Sequence, residues 1–137
     1  MFFVNALQKH DVRRAEMEYG KKVMIVDDDH KIRSVLLHAL SSCDFEVKVC
    51  ENSAEALFCL TSAEFDYIVT DYRMPGMNGL ELTKRLRERI PPLTVLIGMS
   101  GEDKGMDFLR AGANDFLQKP FSPYSLAMMM DGGDILS

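Results

Sequence analysis

From Lys21 onward, short runs of apolar residues alternate with longer segments of helical periodicity. The apolar runs are rich in β-branched residues, which is typical of strands buried on both faces of a sheet. They predict strands at residues 23–26, 45–50, 67–70 and 93–99 and around 116–117. The intervening segments predict helices at residues 31–40, 54–60, 80–89, 103–111 and 123–130. The chain therefore carries five strands and five helices in regular alternation.

The predicted helix at residues 31–40 shows the helical periodicity most clearly. Apolar residues at helical spacing should form its buried face, with Arg33 and His38 outside that face. The predicted buried residues are Ile32, Val35, Leu36 and Ala39. We therefore expect this helix to pack one side against the sheet.

Residues that favour helix ends mark several boundaries. We expect Ser53 and Ser122 to be N-caps, with Pro123 at a first helical position. The last helix should end near Met130, because Asp131-Gly132-Gly133 follows it.

Strands that alternate with helices imply right-handed crossovers, a parallel sheet and helices on both of its faces. We therefore predict a doubly wound α/β fold. The length of 137 residues fits one domain with a sizeable core. A hydrophobic fraction of 47% and a charged fraction of 27% are typical of a globular domain rather than a disordered or membrane-embedded chain.

Polar side chains that can perform chemistry stand where the predicted strands end. Asp27-Asp28-Asp29 follows the first strand, Asp71 the third, Ser100 the fourth and Lys119 the fifth. Ligands of doubly wound folds bind beyond the carboxyl ends of the strands. We therefore expect these groups to meet at one edge of the sheet.

Such a cluster needs a partner for its negative charge. Two carboxylates about 4 Å apart repel by roughly 4 kcal/mol at an effective dielectric near 20. Mg²⁺ prefers oxygen ligands and is commonly held by one or two carboxylates together with phosphate oxygens. An aspartate can also act as a nucleophile that forms an acyl phosphate, and Asp71 is the candidate. For the acidic triplet alone, a solvated turn that caps the next helix remains the alternative.

Composition excludes several other classes. A formal charge of −5 offers no electrostatic footprint for nucleic acid. Cys43, Cys50 and Cys59 form neither a CxxC pair nor a zinc spacing, and their odd number argues against a disulfide framework. The apolar start Met1-Phe2-Phe3-Val4 is too short for a signal peptide, so we expect none, and no stretch reaches the roughly 20 apolar residues that span a bilayer. We expect a cytoplasmic protein that contacts neither membrane nor nucleic acid through this chain.

Four segments together resemble the receiver domains of two-component response regulators. In chain order they are Val26-Asp27-Asp28-Asp29, Asp71-Tyr72-Arg73-Met74-Pro75-Gly76-Met77-Asn78-Gly79, Met99-Ser100-Gly101 and Lys119-Pro120-Phe121. The second and fourth are the most specific. The resemblance covers roughly residues 21–130. It implies a flavodoxin-like sheet of five parallel strands in the order 2-1-3-4-5.

The resemblance also implies a metal site and a phosphoacceptor. Asp71 is similar to the aspartate that accepts the phosphoryl group in this family. Asp27 and Asp28 resemble the acidic pair that holds Mg²⁺, with Asp28 as a direct ligand and Asp27 acting through a water molecule. Asp71 and the main-chain carbonyl of Arg73 resemble further ligands.

Other positions match the switch residues of the family. Ser100 resembles the hydroxyl that binds the phosphoryl group after transfer, and Lys119 resembles the lysine that pairs with a phosphoryl oxygen. Lys119-Pro120 is similar to the cis peptide bond of the family. Phe116 stands where the family has a switch aromatic, often tyrosine, so its ring can pack inward but carries no hydroxyl.

Arg73 and Glu102 lie two residues after Asp71 and Ser100, where side chains of this family flank the path of the hydrolytic water. Their opposite charges could pair across the phosphoryl group and prolong the life of the acyl phosphate. The alternative is that both side chains are solvated and interact little.

We therefore expect a signalling switch rather than a metabolic enzyme. A histidine kinase or a phosphotransfer protein would phosphorylate Asp71, and an unidentified downstream protein would read the result. One alternative is an aspartate-based phosphatase, but those enzymes carry a catalytic acid where this chain has Arg73. The other is a receiver-like binding module that is not phosphorylated, but no acidic or lysine position is lost here.

The ends of the chain depart from the family pattern. Phe3 and Leu7 are spaced to form one apolar edge of a short helix within residues 1–20, which would dock on the domain, mediate a homodimer or fray. Residues 131–137 should form a C-terminal tail. We expect no effector domain within this chain, which would then be either a stand-alone receiver or a fragment of a larger protein.

Overall fold

The computed structural model describes residues 21–136 of the chain. The helix expected within residues 1–20 lies outside this range. Strands and helices alternate in the order β1 (Lys22–Val26), α1 (His30–Ser42), β2 (Glu46–Cys50), α2 (Ser53–Cys59), β3 (Tyr67–Asp71), α3 (Gly79–Arg89), β4 (Val95–Ser100), α4 (Gly105–Ala111), β5 (Asp115–Gln118) and α5 (Pro123–Leu136). The predicted alternation of five strands with five helices is confirmed.

The five strands form one parallel sheet in the order β2-β1-β3-β4-β5. The central strand, β3, is buried along its whole length, which explains its unbroken apolar run. Val26 of β1 pairs with Thr70 of β3, and Asp71 pairs with Met99 of β4. The carboxyl ends of these three strands therefore lie side by side.

Each face of the sheet carries its own hydrophobic core. Because strand side chains alternate between faces, Val23 and Ile25 enter one core while Met24 and Val26 enter the other. The first core also contains residues of α1 and α5, and the second contains residues of α2, α3 and α4. Helices on both faces confirm the doubly wound architecture. Within residues 21–136, no helix combines the length and the apolar character that crossing a bilayer requires.

The buried face of α1 differs from the prediction. Leu36, Ala39 and Leu40 are its buried residues, while Val35 is 51% exposed. At about 100° per residue, Val35 falls at the margin of the stripe that Ile32, Leu36, Ala39 and Leu40 define. The prediction that Val35 is buried was therefore wrong.

Two helix ends also differ. Asn52, not Ser53, is the N-cap of α2, because its side chain accepts the N–H of Glu55 at 2.8 Å. Helix α5 continues past Met130 to Leu136, although it includes Gly132 and Gly133. Glycine costs a helix interior only about 1 kcal/mol relative to alanine, which is not enough to require a break.

The start of α5 agrees with the prediction. The helix begins at Pro123, and the hydroxyl of Ser122 accepts the N–H of Tyr124 at 3.3 Å. Gly112 ends α4 in the left-handed conformation, with φ of 114°, which glycine adopts without steric penalty.

Candidate functional site

Three carboxylates meet at the carboxyl edge of the sheet. One oxygen from each of Asp27, Asp28 and Asp71 lies within 4.8 Å of the others. Asp27 and Asp71 are buried, whereas Asp28 is exposed. The neighbouring positions of β1 and β3 bring these residues together, as we predicted from the ends of the apolar runs. This arrangement places two desolvated carboxylates next to one that solvent reaches.

Lys119 links the two buried carboxylates. Its Nζ lies 3.0 Å from Oδ2 of Asp27 and 3.0 Å from Oδ1 of Asp71. Burial alone would lower the pKa of the ammonium group, but its hydrogen bonds and attraction to both carboxylates raise that pKa overall. The lysine is therefore held in its charged form between Asp27 and Asp71. The peptide bond between Lys119 and Pro120 is cis, as the resemblance implied.

Lys119 does not neutralise all of the negative charge of the three carboxylates. Burial raises the pKa of Asp71, and repulsion from Asp27 raises it further, despite the opposing effect of Lys119. Three carboxylates face one ammonium group, so the cluster has an excess of negative charge. All of its acidic donors are hard oxygen ligands, and this donor set fits Mg²⁺. The carbonyl of Arg73, predicted as a further ligand, stays a prediction.

Asp27 is fixed by contacts from three directions. Its Oδ1 accepts the N–H of Asp29 at 2.9 Å, and its own N–H donates to the carbonyl of Cys50 at 3.1 Å. Nη1 of Arg33 donates to the main-chain carbonyl of Asp27 at 2.9 Å. The turn after β1 is therefore positioned before any cation binds.

Sequence reasoning missed this role of Arg33. Its position outside the apolar stripe of α1 suggested a solvated side chain, but the side chain is only 14% exposed. The guanidinium reaches back over the first turn of α1 to the end of β1, where Asp27 ends the apolar run. Helical spacing alone cannot show such a contact, because it depends on how α1 crosses the strand end.

The predicted switch residues lie on the neighbouring strands β4 and β5. Ser100 is buried, and its Oγ accepts the N–H of Glu102 at 3.0 Å. Phe116 is half-buried, with its ring centroid 5.7 Å from that of the fully buried Phe108. Ser100 therefore lies at the end of β4, next to the strand that ends in Asp71. Phe116 of β5 packs against Phe108 of α4. Their roles in switching stay predictions.

Arg73 and Glu102 form an ion pair. Nη2 of Arg73 donates to Oε1 of Glu102 at 2.9 Å, and its Nε donates to the other carboxylate oxygen. The contact is bidentate although the side chains are 75% and 40% exposed. Hydrogen bonding to its partner raises the pKa of Arg73 and lowers that of Glu102. Of the two alternatives, the structure supports pairing rather than independent solvation.

Comparison with known proteins agrees with this geometry. The family model described as the response regulator receiver domain matches residues 23–131. The chain belongs to the response regulator receiver domain family. The chemotaxis response regulator CheY4 of Vibrio cholerae is a similar solved structure, with a TM-score of 0.77 and 32% identity over 82% of this chain and 97% of that chain.

Longer relatives match this chain over only part of their own length. The DNA-binding transcriptional regulator NtrC of Escherichia coli is 43% identical over 101 residues, which are 72% of this chain and 22% of NtrC. The phosphate regulon regulatory protein PhoB of Pseudomonas aeruginosa is 35% identical over 111 residues, or 78% of this chain and 48% of PhoB. The chain therefore spans less than half the length of these relatives.

Proposed function

We propose that this receiver domain is a phosphorylation-dependent switch in which Asp71 accepts a phosphoryl group. The observation that carries the proposal is the position of Asp71. Its Oδ1 lies 3.0 Å from Nζ of Lys119, and one of its oxygens lies within 4.8 Å of oxygens of Asp27 and Asp28. A buried carboxylate that contacts an ammonium group and lies beside two potential metal ligands is suited to accept phosphorus.

The residues of the site have separable tasks in this transfer. Asp27, Asp28 and Asp71, with the carbonyl of Arg73, would hold Mg²⁺, which when bound neutralises charge on the phosphoryl group. A carboxylate oxygen of Asp71 attacks phosphorus, so that a P–O bond forms while the bond from phosphorus to the donor breaks. Lys119 then pairs with a phosphoryl oxygen. The product is an acyl phosphate on Asp71.

The added dianion would shift the domain between two populated conformations. Ser100 follows Met99, which pairs with Asp71 across β3 and β4. If its hydroxyl binds the new phosphoryl group, its hydrogen bond from the N–H of Glu102 has to change. Phe116 packs against Phe108 and could move inward as Ser100 moves. A population shift of this kind would alter the surface formed by α4 and β5.

We propose a histidine kinase or a histidine phosphotransfer protein as the donor. A phosphohistidine side chain must reach Asp71 from beyond the carboxyl edge of the sheet. An apolar cavity of about 480 Å³ opens there, and Lys119 lies on its wall beside Ile32 and Phe121. Apolar surface next to Lys119, which contacts Asp71, suits docking of the donor protein. The downstream partner, the cytoplasmic location and a homodimer remain expectations.

The alternative functions are less well supported. An aspartate-based phosphatase needs a proton donor two residues after its nucleophile, where Arg73 stands. The hydrogen bond to Glu102 raises the pKa of that guanidinium, so it cannot act as an acid near neutral pH. A binding module without phosphorylation has no need for the acidic cluster and lysine that occur together here.

Phosphorylation in the presence and absence of Mg²⁺ tests the proposed function. The protein is incubated with a small acyl phosphate or phosphoramidate and examined by intact-mass spectrometry. We expect a mass gain of one phosphoryl group that survives acid, is released by base and by hydroxylamine, and is abolished when a chelator removes Mg²⁺. Equal labelling with and without the chelator, or a label that resists hydroxylamine, would contradict the proposal.

The ion pair between Arg73 and Glu102 should prolong the acyl phosphate. We expect Arg73→Asn to shorten its lifetime roughly tenfold, because the bidentate pair then no longer obstructs the approach of water. The decay is followed by mass spectrometry after the donor is removed.

A second arginine provides the matched control. Arg85 pairs with Glu81 at 3.4 Å on the exposed side of α3, away from the carboxylates. Arg85→Asn should therefore leave the lifetime unchanged. If Arg73→Asn decays no faster than wild type or Arg85→Asn, the ion pair does not protect the acyl phosphate.

A further inference from the structure

Two thiols lie in contact on the face of the sheet that does not carry α1. Sγ of Cys50 is 3.7 Å from Sγ of Cys59, and both cysteines are free. Cys50 is buried at the end of β2, whereas Cys59 is half-buried at the end of α2. Neither thiol takes part in the proposed phosphoryl transfer.

The fold, rather than the sequence spacing, creates this pair. Nine positions separate the two cysteines, a spacing that indicates no metal or redox motif. Helix α2 follows β2 after a short turn and packs on the sheet, which brings Cys59 at its last position against Cys50 at the last position of β2. Both side chains consequently belong to the hydrophobic core between the sheet and α2, where Cys50 is a core member and Cys59 packs against it.

The distance is small enough for a covalent bond after a local movement. A disulfide has an S–S length of about 2.05 Å, so the sulfur atoms would have to approach by roughly 1.7 Å. Cys50 is held by the ladder between β1 and β2, where it pairs with Val26. Cys59 is the last residue of a seven-residue helix. We therefore expect the end of α2 to move while β2 stays in place.

We propose that Cys50 and Cys59 form an oxidisable dithiol, a modification site that a hydroperoxide converts into an intramolecular disulfide. In the first step, the thiolate of Cys59 attacks the peroxide. An S–O bond forms, the O–O bond breaks, and an alcohol or water leaves. In the second step, the sulfur of Cys50 attacks the sulfenic acid of Cys59. The S–S bond forms, the S–O bond breaks, and water leaves with the proton of Cys50.

The electron balance closes over these two steps. The two sulfur atoms together lose two electrons, and the hydroperoxide gains them.

Burial, followed by the proximity of Cys59, raises the pKa of the Cys50 thiol to about 12. Cys50 is only 1% exposed, whereas Cys59 is half-buried, so a peroxide reaches the sulfur of Cys59 first. This assigns the initial attack to the more exposed Cys59 and leaves Cys50 as its resolving partner.

Closure of this bond would alter an exposed surface. Phe58, next to Cys59 on α2, is 74% exposed. A movement of the last turn of α2 would displace this ring, whereas the carbonyl of Cys50 would keep its hydrogen bond from Asp27. The proposal is thus independent of phosphorylation at Asp71.

Peroxide titration followed by peptide mapping tests the dithiol. We expect wild type treated with hydrogen peroxide to lose the free thiols of Cys50 and Cys59 together and to yield a reducible cross-linked peptide pair. Cys43, which is half-buried and free, should remain open to alkylation. Cys43→Ser should form the same cross-link, and Cys59→Ser should abolish it. Oxidation of Cys59 to sulfinic acid while Cys50 stays alkylatable would overturn the proposal.

A second measurement tests the pair without oxidation. Phenylarsine oxide bridges two thiols that lie close together, and its adduct is detected by intact mass. We expect one bridging adduct in wild type and Cys43→Ser and none in Cys59→Ser. Because Cys59 is partly exposed, Cys59→Ser should fold normally, and circular dichroism verifies this. Equal adduct formation by Cys59→Ser would show that the two sulfurs do not act as a unit.

Discussion

The substitution Asp71→Asn should abolish the acyl phosphate and also stabilise the metal-free protein. Asparagine preserves the shape of the side chain but lacks the anionic oxygen that attacks phosphorus. The loss of phosphorylation should therefore be complete within the sensitivity of mass spectrometry. A structural defect cannot explain this result if the same variant is more stable than wild type.

The gain in stability follows from the raised pKa of Asp71. Burial and the proximity of Asp27 raise that pKa in the folded protein above its value in the unfolded chain. A carboxyl group with a raised folded pKa favours folding below its unfolded pKa, and this contribution is lost as the pH rises through the folded pKa. At neutral pH the ionised carboxylate therefore opposes folding. Asparagine removes this penalty.

Urea unfolding in the presence of a chelator measures this effect. We expect Asp71→Asn to have a higher unfolding midpoint than wild type at pH 7, and the difference should shrink as the pH falls toward the acidic range. Asp66→Asn is the matched control, since Asp66 lies at the other end of β3 and its carboxylate accepts the exposed N–H of Lys22 at 2.9 Å. This control should be phosphorylated normally. An Asp71→Asn protein that still forms a hydroxylamine-sensitive acyl phosphate would refute our assignment of the acceptor.

The carboxylate cluster could be predicted from sequence because it depends on few structural variables. The runs before Asp27 and Asp71 are buried on both faces, so their ends are visible as abrupt changes from apolar to acidic residues. Parallel strands present their carboxyl ends at the same edge. Once the alternation of strands and helices is recognised, the meeting of Asp27, Asp71 and Lys119 follows without knowledge of any side-chain conformation.

Other features depend on angles that the residue pattern does not determine. Whether Val35 lies inside or outside the buried stripe of α1 depends on a rotation of the helix by a few tens of degrees. Asn52 and Ser53 are both good capping residues, so backbone geometry decides between them. The contact of Arg33 with Asp27 requires a particular crossing of α1 over β1. The sulfur pair of Cys50 and Cys59 likewise depends on the path of α2.

Gly79 shows how a single position couples the fold to Asp71, the proposed acceptor. It is the first residue of α3, and its N–H donates to the carbonyl of Tyr72 at 2.8 Å. A Cβ added at this position would lie 1.9 Å from the carbonyl oxygen of Asp71. This is far inside the roughly 3.5 Å at which such atoms normally make contact. The start of α3 therefore lies directly against the peptide of Asp71, the proposed phosphoacceptor.

We expect Gly79→Ala to lower the free energy of unfolding by roughly 3 kcal/mol. Helix propensity alone predicts the opposite sign, because alanine is favoured over glycine by up to about 1 kcal/mol within a helix. The close approach should dominate, because the obstructing atoms belong to the backbone and cannot rotate away. The Asp71 peptide or the start of α3 must move instead. Phosphorylation of the remaining folded protein should consequently be slower.

Urea unfolding followed by far-ultraviolet circular dichroism measures the stability, since the chain contains no tryptophan. Gly101→Ala is the matched control, because Gly101 also follows the edge of the sheet, but a Cβ added there would meet nothing within 4 Å beyond its chain neighbours. That substitution should change the unfolding free energy by no more than about 0.5 kcal/mol. If Gly79→Ala proves as stable as Gly101→Ala, helix propensity outweighs the contact, and α3 does not restrain the Asp71 peptide.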